Sequence, residues 1–256
     1  MNRIDKVFKE ASGPVLNIYA TAGFPKFEDT MTVIKALSEG GADIIEIGMP
    51  YSDPVADGET IQIANQASLE QGMSVAKLFE QLKDLRKAVQ TPVILMGYVN
   101  PVLQFGVEKF CQKCAEVGVD GLILPDLPMS EYLTEYKAIF DQYGLYNIFL
   151  ITPQTSEERI RYIDEHSNGF IYMVSSASTT GAKTGISEEQ EAYFKRIGAM
   201  NLKNPRLIGF GISDRESFLK ASQHASGAII GSAFVKVLSN AKDLKIEILK
   251  FVQSIL

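Results

Sequence analysis

The chain has 256 residues, 46% of them hydrophobic, enough to bury a full core at the size of one α/β barrel or two small domains. Charge is mildly negative, with 25 basic against 31 acidic residues, and no Lys/Arg cluster interleaved with aromatics marks a nucleic-acid face. Two cysteines are too few for a disulfide framework, no apolar run approaches a membrane span, and Met1 to Val15 lacks the unbroken apolar core of a signal peptide, so a cytoplasmic protein is expected.

Asn2 to Ala11 reads as a leading helix and Val15 to Ala20 as the first strand, ending at Thr21-Ala-Gly-Phe-Pro25; a helical pattern runs from Phe27 to Glu39. Strand Ala42 to Gly48 follows, and after it a loop rich in Pro, Ser, Asp and Gly. Then come helix Val75 to Ala88, strand Pro92 to Tyr98, helix Val107 to Val117, strand Gly121 to Pro125 and helix Ser130 to Gln142. Strand Tyr146 to Ile151, helix Ser156 to Glu165, strand Phe170 to Val174 and helix Ser187 to Ile197 continue the alternation. Strand Arg206 to Gly211, helix Asp214 to Ala221, strand Gly227 to Gly231 and helix Ala233 to Leu256 complete it.

Eight strands, each followed by a helix and each apolar almost throughout, form the pattern of a parallel sheet covered by helices. Closure gives a (β/α)8 TIM barrel. A doubly wound open sheet is the alternative, and regular units of about thirty residues without a break favour the barrel. No linker-like shift in composition divides the chain, so residues 1–256 are expected to form a single domain.

Reactive groups of such a barrel come from the C-terminal strand ends and the loops that follow. Those exits carry Thr21, Tyr98-Val-Asn100, Asp126, Thr152, Ser175-Ser176, Gly211 and Gly231-Ser232, together with the stretch from Glu46 to Asp57. His166 and His224 precede strands and fall toward the other face, against histidine catalysis or a His-based metal site. No lysine stands at a strand exit, against a Schiff base. Carboxylates remain. Glu46 sits in an otherwise apolar strand and is either a general acid/base in the barrel mouth, its pKa raised by apolar neighbours, or a layer residue paired with a donor. Asp57 is a second reactive carboxylate or a turn former before Gly58, and Asp53 before Pro54 shapes the loop.

Late glycines form a second group: Thr180-Gly181, Gly209-Phe-Gly211 and Gly231-Ser232. They let backbone N–H groups approach an anion, and the last pair opens a helix, which suits a phosphate on a small organic ligand. Tyr19, Tyr172 and Phe210, near strand ends, either sandwich a flat apolar ring or belong to the core. Cys111 and Cys114 share a helix face with no further zinc ligands at matching spacing, and read as core. Thr179 to Gly185 suits either a mobile lid or a plain surface loop.

With these residues in view, the chain resembles the α subunit of tryptophan synthase over essentially its whole length. The most specific stretch is Glu46-Ile-Gly-Met-Pro-Tyr-Ser-Asp-Pro-Val-Ala-Asp-Gly58, supported by Leu95 to Pro101, Pro125 to Pro128, Gly209 to Ser213 and Gly231-Ser232. The resemblance implies a lyase of tryptophan biosynthesis that cleaves indole-3-glycerol phosphate into indole and glyceraldehyde 3-phosphate. It makes Glu46 the acid/base and Asp57 the carboxylate that stabilises charge on the indole nitrogen. It also implies Tyr19, Ile61, Met96, Ile123, Tyr172 and Phe210 around the substrate, and Gly181, Gly211, Gly231 and Ser232 at its phosphate. A pyridoxal-phosphate β subunit is the implied partner in an α2β2 heterotetramer, facing Asp53, Pro54, Asn100 and Pro128, with no cofactor and no metal in this chain. The family often carries Ser-Arg after the sixth strand where this sequence has Ser175-Ser176. A stand-alone lyase of the same fold is therefore a competing reading, and a phosphate-binding barrel without turnover is a third, which has no need of both Glu46 and Asp57.

Overall fold

β1 (Val15–Thr21), β2 (Ile44–Gly48), β3 (Val93–Met96), β4 (Gly121–Ile123), β5 (Tyr146–Ile151), β6 (Ile171–Val174), β7 (Arg206–Gly209) and β8 (Gly227–Ile230) close in sequence order into one parallel barrel. The structure, a computed structural model, describes residues 1–175, 187–209 and 211–256. β1 pairs with both β2 and β8, which rules out the open sheet. Every residue of β1 and β2 is buried, because each strand is covered by interior side chains on one face and helices on the other. Among the described residues no helix is long and apolar enough to cross a membrane.

Register decides which side chains share the interior, since partnered residues on parallel neighbours point the same way and alternate along each strand. Tyr19 pairs with Glu46 and Glu46 with Ile94; two residues further on, Gly48 pairs with Met96 and Met96 with Ile123. These rows face inward: the charge of Glu46 on β2 acts on Tyr172 of β6, on the opposite side of the barrel.

The N-terminal mouth is plugged by the helix Arg3–Glu10, whose Ile4 is fully buried and stands 3.3 Å from where a Cβ on Gly121 would sit. Asn2 caps this helix and donates from Nδ2 to the Asp120 carbonyl at 2.8 Å, while Tyr146 Oη donates to Asp5 at 2.6 Å. Beside it the Asp120 carboxylate, its side chain 3% exposed, accepts from Arg3 Nη1 at 2.9 Å, Arg86 Nη2 at 2.5 Å and the Val93 N–H at 2.8 Å.

Two helices depart from the sequence expectation, Glu59–Glu70 and Val99–Phe105. The first buries Ala64, Asn65 and Ser68, small and polar residues that leave no apolar periodicity to read. The second carries Pro101 in its first turn, where a missing N–H costs nothing although the residue reads as a breaker. The expected helix Val75 to Ala88 is divided into Val75–Leu82 and Leu85–Ala88, and the last helix into Ser232–Asn240 and Leu244–Ile255, the latter restarted by an Asp243 cap on the Ile246 N–H.

Candidate active site

Glu46 occupies the middle of β2 and points into the barrel with 1% of its surface exposed. Its Oε2 accepts one hydrogen bond, 3.1 Å from Asn17 Nδ2 on β1. Burial pushes its pKa up to about 8; the Asn17 bond works against that rise and the charge of Asp57 adds to it. At neutral pH the group therefore holds its proton, as a general acid must.

Asp57 ends the loop that leaves β2. Gly58 caps the helix Glu59–Glu70, so the Asp-Gly pair does turn the chain, yet the Asp57 side chain folds inward and is only 7% exposed. Tyr98 Oη, at the exit of β3, accepts from the Ala56 N–H at 2.9 Å and donates to Asp57 Oδ2 at 3.3 Å. Gln62 Nε2 donates to the Asp57 carbonyl at 2.7 Å. Burial raises the Asp57 carboxyl to about 6, and hydrogen bonds from Tyr98 and Asn65 hold it lower than burial alone would. Two buried carboxyl groups that feel each other's charge are thus set apart, one protonated and one ionised at pH 7, an arrangement that can deliver a proton and stabilise positive charge together.

Tyrosines shape the walls. A Cβ on Gly48 would collide with Tyr19 Oη and lie 2.6 Å from Tyr19 Cζ, and a Cβ on Gly209 would collide with Tyr172 Oη, so both rings lie flat over a neighbouring strand where only glycine leaves room. Tyr19 Oη lies 3.3 Å from Thr21 Oγ1.

Comparison with known proteins places the chain in a family. A family model described as tryptophan synthase alpha chain matches residues 6–255. The chain is 57% identical over 247 residues to the tryptophan synthase alpha chain of Flavobacterium johnsoniae, covering 96% of this chain and 97% of that one. The chain belongs to the tryptophan synthase alpha chain family. Solved structures agree: the alpha chain from Legionella pneumophila subsp. pneumophila superimposes with a TM-score of 0.90 at 36% identity, over 100% of this chain and 96% of that one. Tryptophan synthase from M. tuberculosis, in an aminoacrylate-bound form, superimposes with a TM-score of 0.87 at 30% identity, over 100% of this chain and 98% of that one.

Of the residues that the resemblance to tryptophan synthase put around the substrate, Tyr19, Met96, Ile123 and Tyr172 are buried within the barrel. Ile61, half-buried on the helix Glu59–Glu70, reaches across to the end of β8: a Cβ on Gly231 would stand 3.8 Å from both Ile61 Cδ1 and Tyr19 Cβ. Gly211 is exposed with φ +78°, a backbone that favours glycine. Gly231 precedes the helix Ser232–Asn240 as its N-cap, and Ser232 is exposed as the first helical residue. Gly181, Phe210 and the stretch Thr179 to Gly185 lie outside the described residues. After β2, β3 and β4, Asp53, Asn100 (in the helix Val99–Phe105) and Pro128 are exposed and Pro54 is half-buried. Asn100 Nδ2 donates to Tyr51 Oη at 3.3 Å, and the Tyr51 ring lies 5.2 Å from that of Tyr98, so this rim is continuous with the support of Asp57.

Away from the mouth, His166 ends a helix with Nδ1 2.9 Å from the Tyr162 carbonyl, and both cysteines are fully buried in the helix Val107–Val117. Sequence reasoning did not single out Asn17 or Asn65. Asn17 had a signal, because period-two alternation puts it on the face of Tyr19; Asn65 had none without the helix that carries it.

Proposed function

We propose that this chain is the α subunit that cleaves indole-3-glycerol phosphate to indole and glyceraldehyde 3-phosphate, with Glu46 and Asp57 as its reacting carboxylates. The protonated Glu46 carboxyl gives its proton to C3 of the indole ring. The positive charge that this places on the ring nitrogen is stabilised by ionised Asp57. Glu46, now a carboxylate, takes the proton of the adjacent glycerol hydroxyl as the carbon–carbon bond breaks. That electron pair returns to the ring, indole and an aldehyde separate, and Glu46 ends as it began. Tyr19, Ile61, Met96, Ile123, Tyr172 and Phe210 enclose the ring. Gly181, Gly211, Gly231 and Ser232 offer the phosphate their N–H groups, with the Ser232 helix dipole behind them.

A pyridoxal-phosphate β subunit receives the indole across the rim of Asp53, Pro54, Asn100 and Pro128, in a cytoplasmic heterotetramer, and this chain itself uses no cofactor. The observation that carries the reading is the pair of buried carboxyl groups, Glu46 inside the barrel and Asp57 on the loop that leaves β2, held by burial near 8 and near 6 in a barrel of this family. In its test, Glu46→Gln with the β partner present loses indole release by about a thousandfold or more while substrate affinity stays within a few-fold. Full activity of that variant removes the assignment. kcat/KM should trace a bell, its acid limb near 6 from Asp57 and its basic limb near 8 from Glu46.

A further inference from the structure

Asn17 is fully buried in β1, in register with Ile44 of β2 and Ile229 of β8, so it sits in an otherwise apolar row one layer below Tyr19 and Glu46. Its Nδ2 donates to Glu46 Oε2 at 3.1 Å, whereas its Oδ1 has no hydrogen-bond partner among the described residues. A buried amide oxygen without a donor is unfavourable, and an apolar side chain in that row would avoid it. Retention of an amide there needs a reason beyond packing.

The chemistry of Glu46 supplies one. A carboxylate only accepts, so it needs the amide N–H; a protonated carboxyl keeps an acceptor oxygen, so the same N–H stays on Oε2 while the other oxygen carries the proton toward the ring. One N–H thus serves both states from one position. We propose that Asn17 is a positioning residue whose amide N–H holds the Glu46 carboxyl in place both before and after it gives up its proton. This rests on the reading of Glu46 as the acid/base.

The other groups facing Glu46 are Asp57 from the loop after β2, Tyr19 from β1 and Tyr172 from β6. Burial disfavours the carboxylate and the charge of Asp57 acts in the same direction, and the Asn17 N–H is a contact that works the other way. Loss of that contact makes Glu46 harder to ionise and moves the basic limb of kcat/KM upward.

The test is Asn17→Val, chosen because a β-branched residue of similar size suits a strand, assayed as the complex with the β partner for kcat, KM and the pH profile, with thermal unfolding of the isolated variant alongside. A positioning role predicts kcat lower by about tenfold, KM within about threefold, a basic limb raised by about half a pH unit or more, and a melting temperature that does not fall. A basic limb that stays in place, or an activity loss that merely follows a fall in melting temperature, overturns the proposal. Should the Asn17→Val chain not fold, Asn17→Ala, which needs no extra room, is measured by the same criteria, and failure of both to fold makes Asn17 structural and also overturns it. Glu46→Gln in parallel separates the two levels: an active Glu46→Gln sinks the catalytic reading itself, whereas an inactive one with an unaltered Asn17→Val profile sinks only the role of Asn17.

Discussion

Replacing Glu46 with glutamine should stabilise the fold, and by an amount that grows with pH. The carboxyl is buried and titrates at about 8 rather than its ordinary 4.5, so between those two values the folded chain holds a proton that the unfolded chain has released. Stability then falls as pH rises through that window, because the native state binds more protons than the unfolded one; the contribution is intact below about 4.5 and fully lost above about 8. At about 1.4 kcal/mol per pH unit, the whole interval amounts to ~5 kcal/mol as an upper bound, and the part between pH 5 and 8 to ~4 kcal/mol. Glutamine has the same shape, accepts the same Asn17 hydrogen bond and cannot ionise. Wild type and Glu46→Gln should therefore have similar stabilities near pH 5, and diverge to about 4 kcal/mol in favour of the variant at pH 9. Urea unfolding of both proteins at pH 5, 7 and 9 measures this directly. A constant difference across that range, within about 1 kcal/mol, would mean that Glu46 ionises freely in the fold, and the premise of a carboxyl poised as an acid would go with it.

Asp57→Asn keeps the Tyr98 contact but removes the negative charge, and should lower kcat by about a hundredfold and erase the acid limb near 6, as read from indole release against pH. Tyr98→Phe removes both the donor to Asp57 and the acceptor of the Ala56 N–H; kcat/KM should fall by about tenfold, with the acid limb displaced upward because a bond favouring the carboxylate is lost. Gly48→Ala sets a methyl against the Tyr19 ring and should depress kcat/KM, and Tyr19→Leu in the same chain should recover part of that loss; if the double variant is no better than the single one, the collision is not the cause. Asp120→Ala removes the carboxylate shared by Arg3, Arg86 and the Val93 N–H; Arg86 keeps the Gly118, Val89 and Thr91 carbonyls and Arg3 is open to solvent, which predicts a loss of about 1–3 kcal/mol in chemical unfolding with kcat of the folded fraction unchanged.

Strands were more legible than the helices around the mouth, and the difference is physical. β1 and β2 are buried on both faces, so their sequences are nearly continuous apolar runs, and Glu46 stood out in Ile44–Gly48 because everything beside it is apolar. The helix Glu59–Glu70 has the opposite character. Its buried face is Ala64, Asn65 and Ser68, residues chosen for fit and hydrogen bonding against β1 and the Asp57 loop: Ser68 Oγ donates to the Ala22 carbonyl at 2.5 Å, and Asn65 supports Asp57. A helix that serves a site need not look amphipathic.

Asn17 shows the same conflict between packing and chemistry inside a strand. Judged by transfer energies alone, a half-satisfied amide in an apolar row is an error, and a consensus of hydrophobic residues would repair it. Judged by the two protonation states of Glu46, it is a side chain whose N–H leaves neither state without a partner. Stability and turnover thus make opposite demands on position 17, just as they do on position 46, where glutamine improves the fold and ends the reaction. Two adjacent interior positions on β1 and β2 that each weaken the barrel are not independent blemishes: the cost of Glu46 is the reason that Asn17 is tolerated, since a glutamine at 46 never becomes the carboxylate that needs the amide N–H. An Asn17→Val substitution should accordingly gain more stability in the Glu46→Gln background than in wild type at pH 9, where the wild-type carboxylate still depends on the amide, and equal gains in the two backgrounds would uncouple the residues.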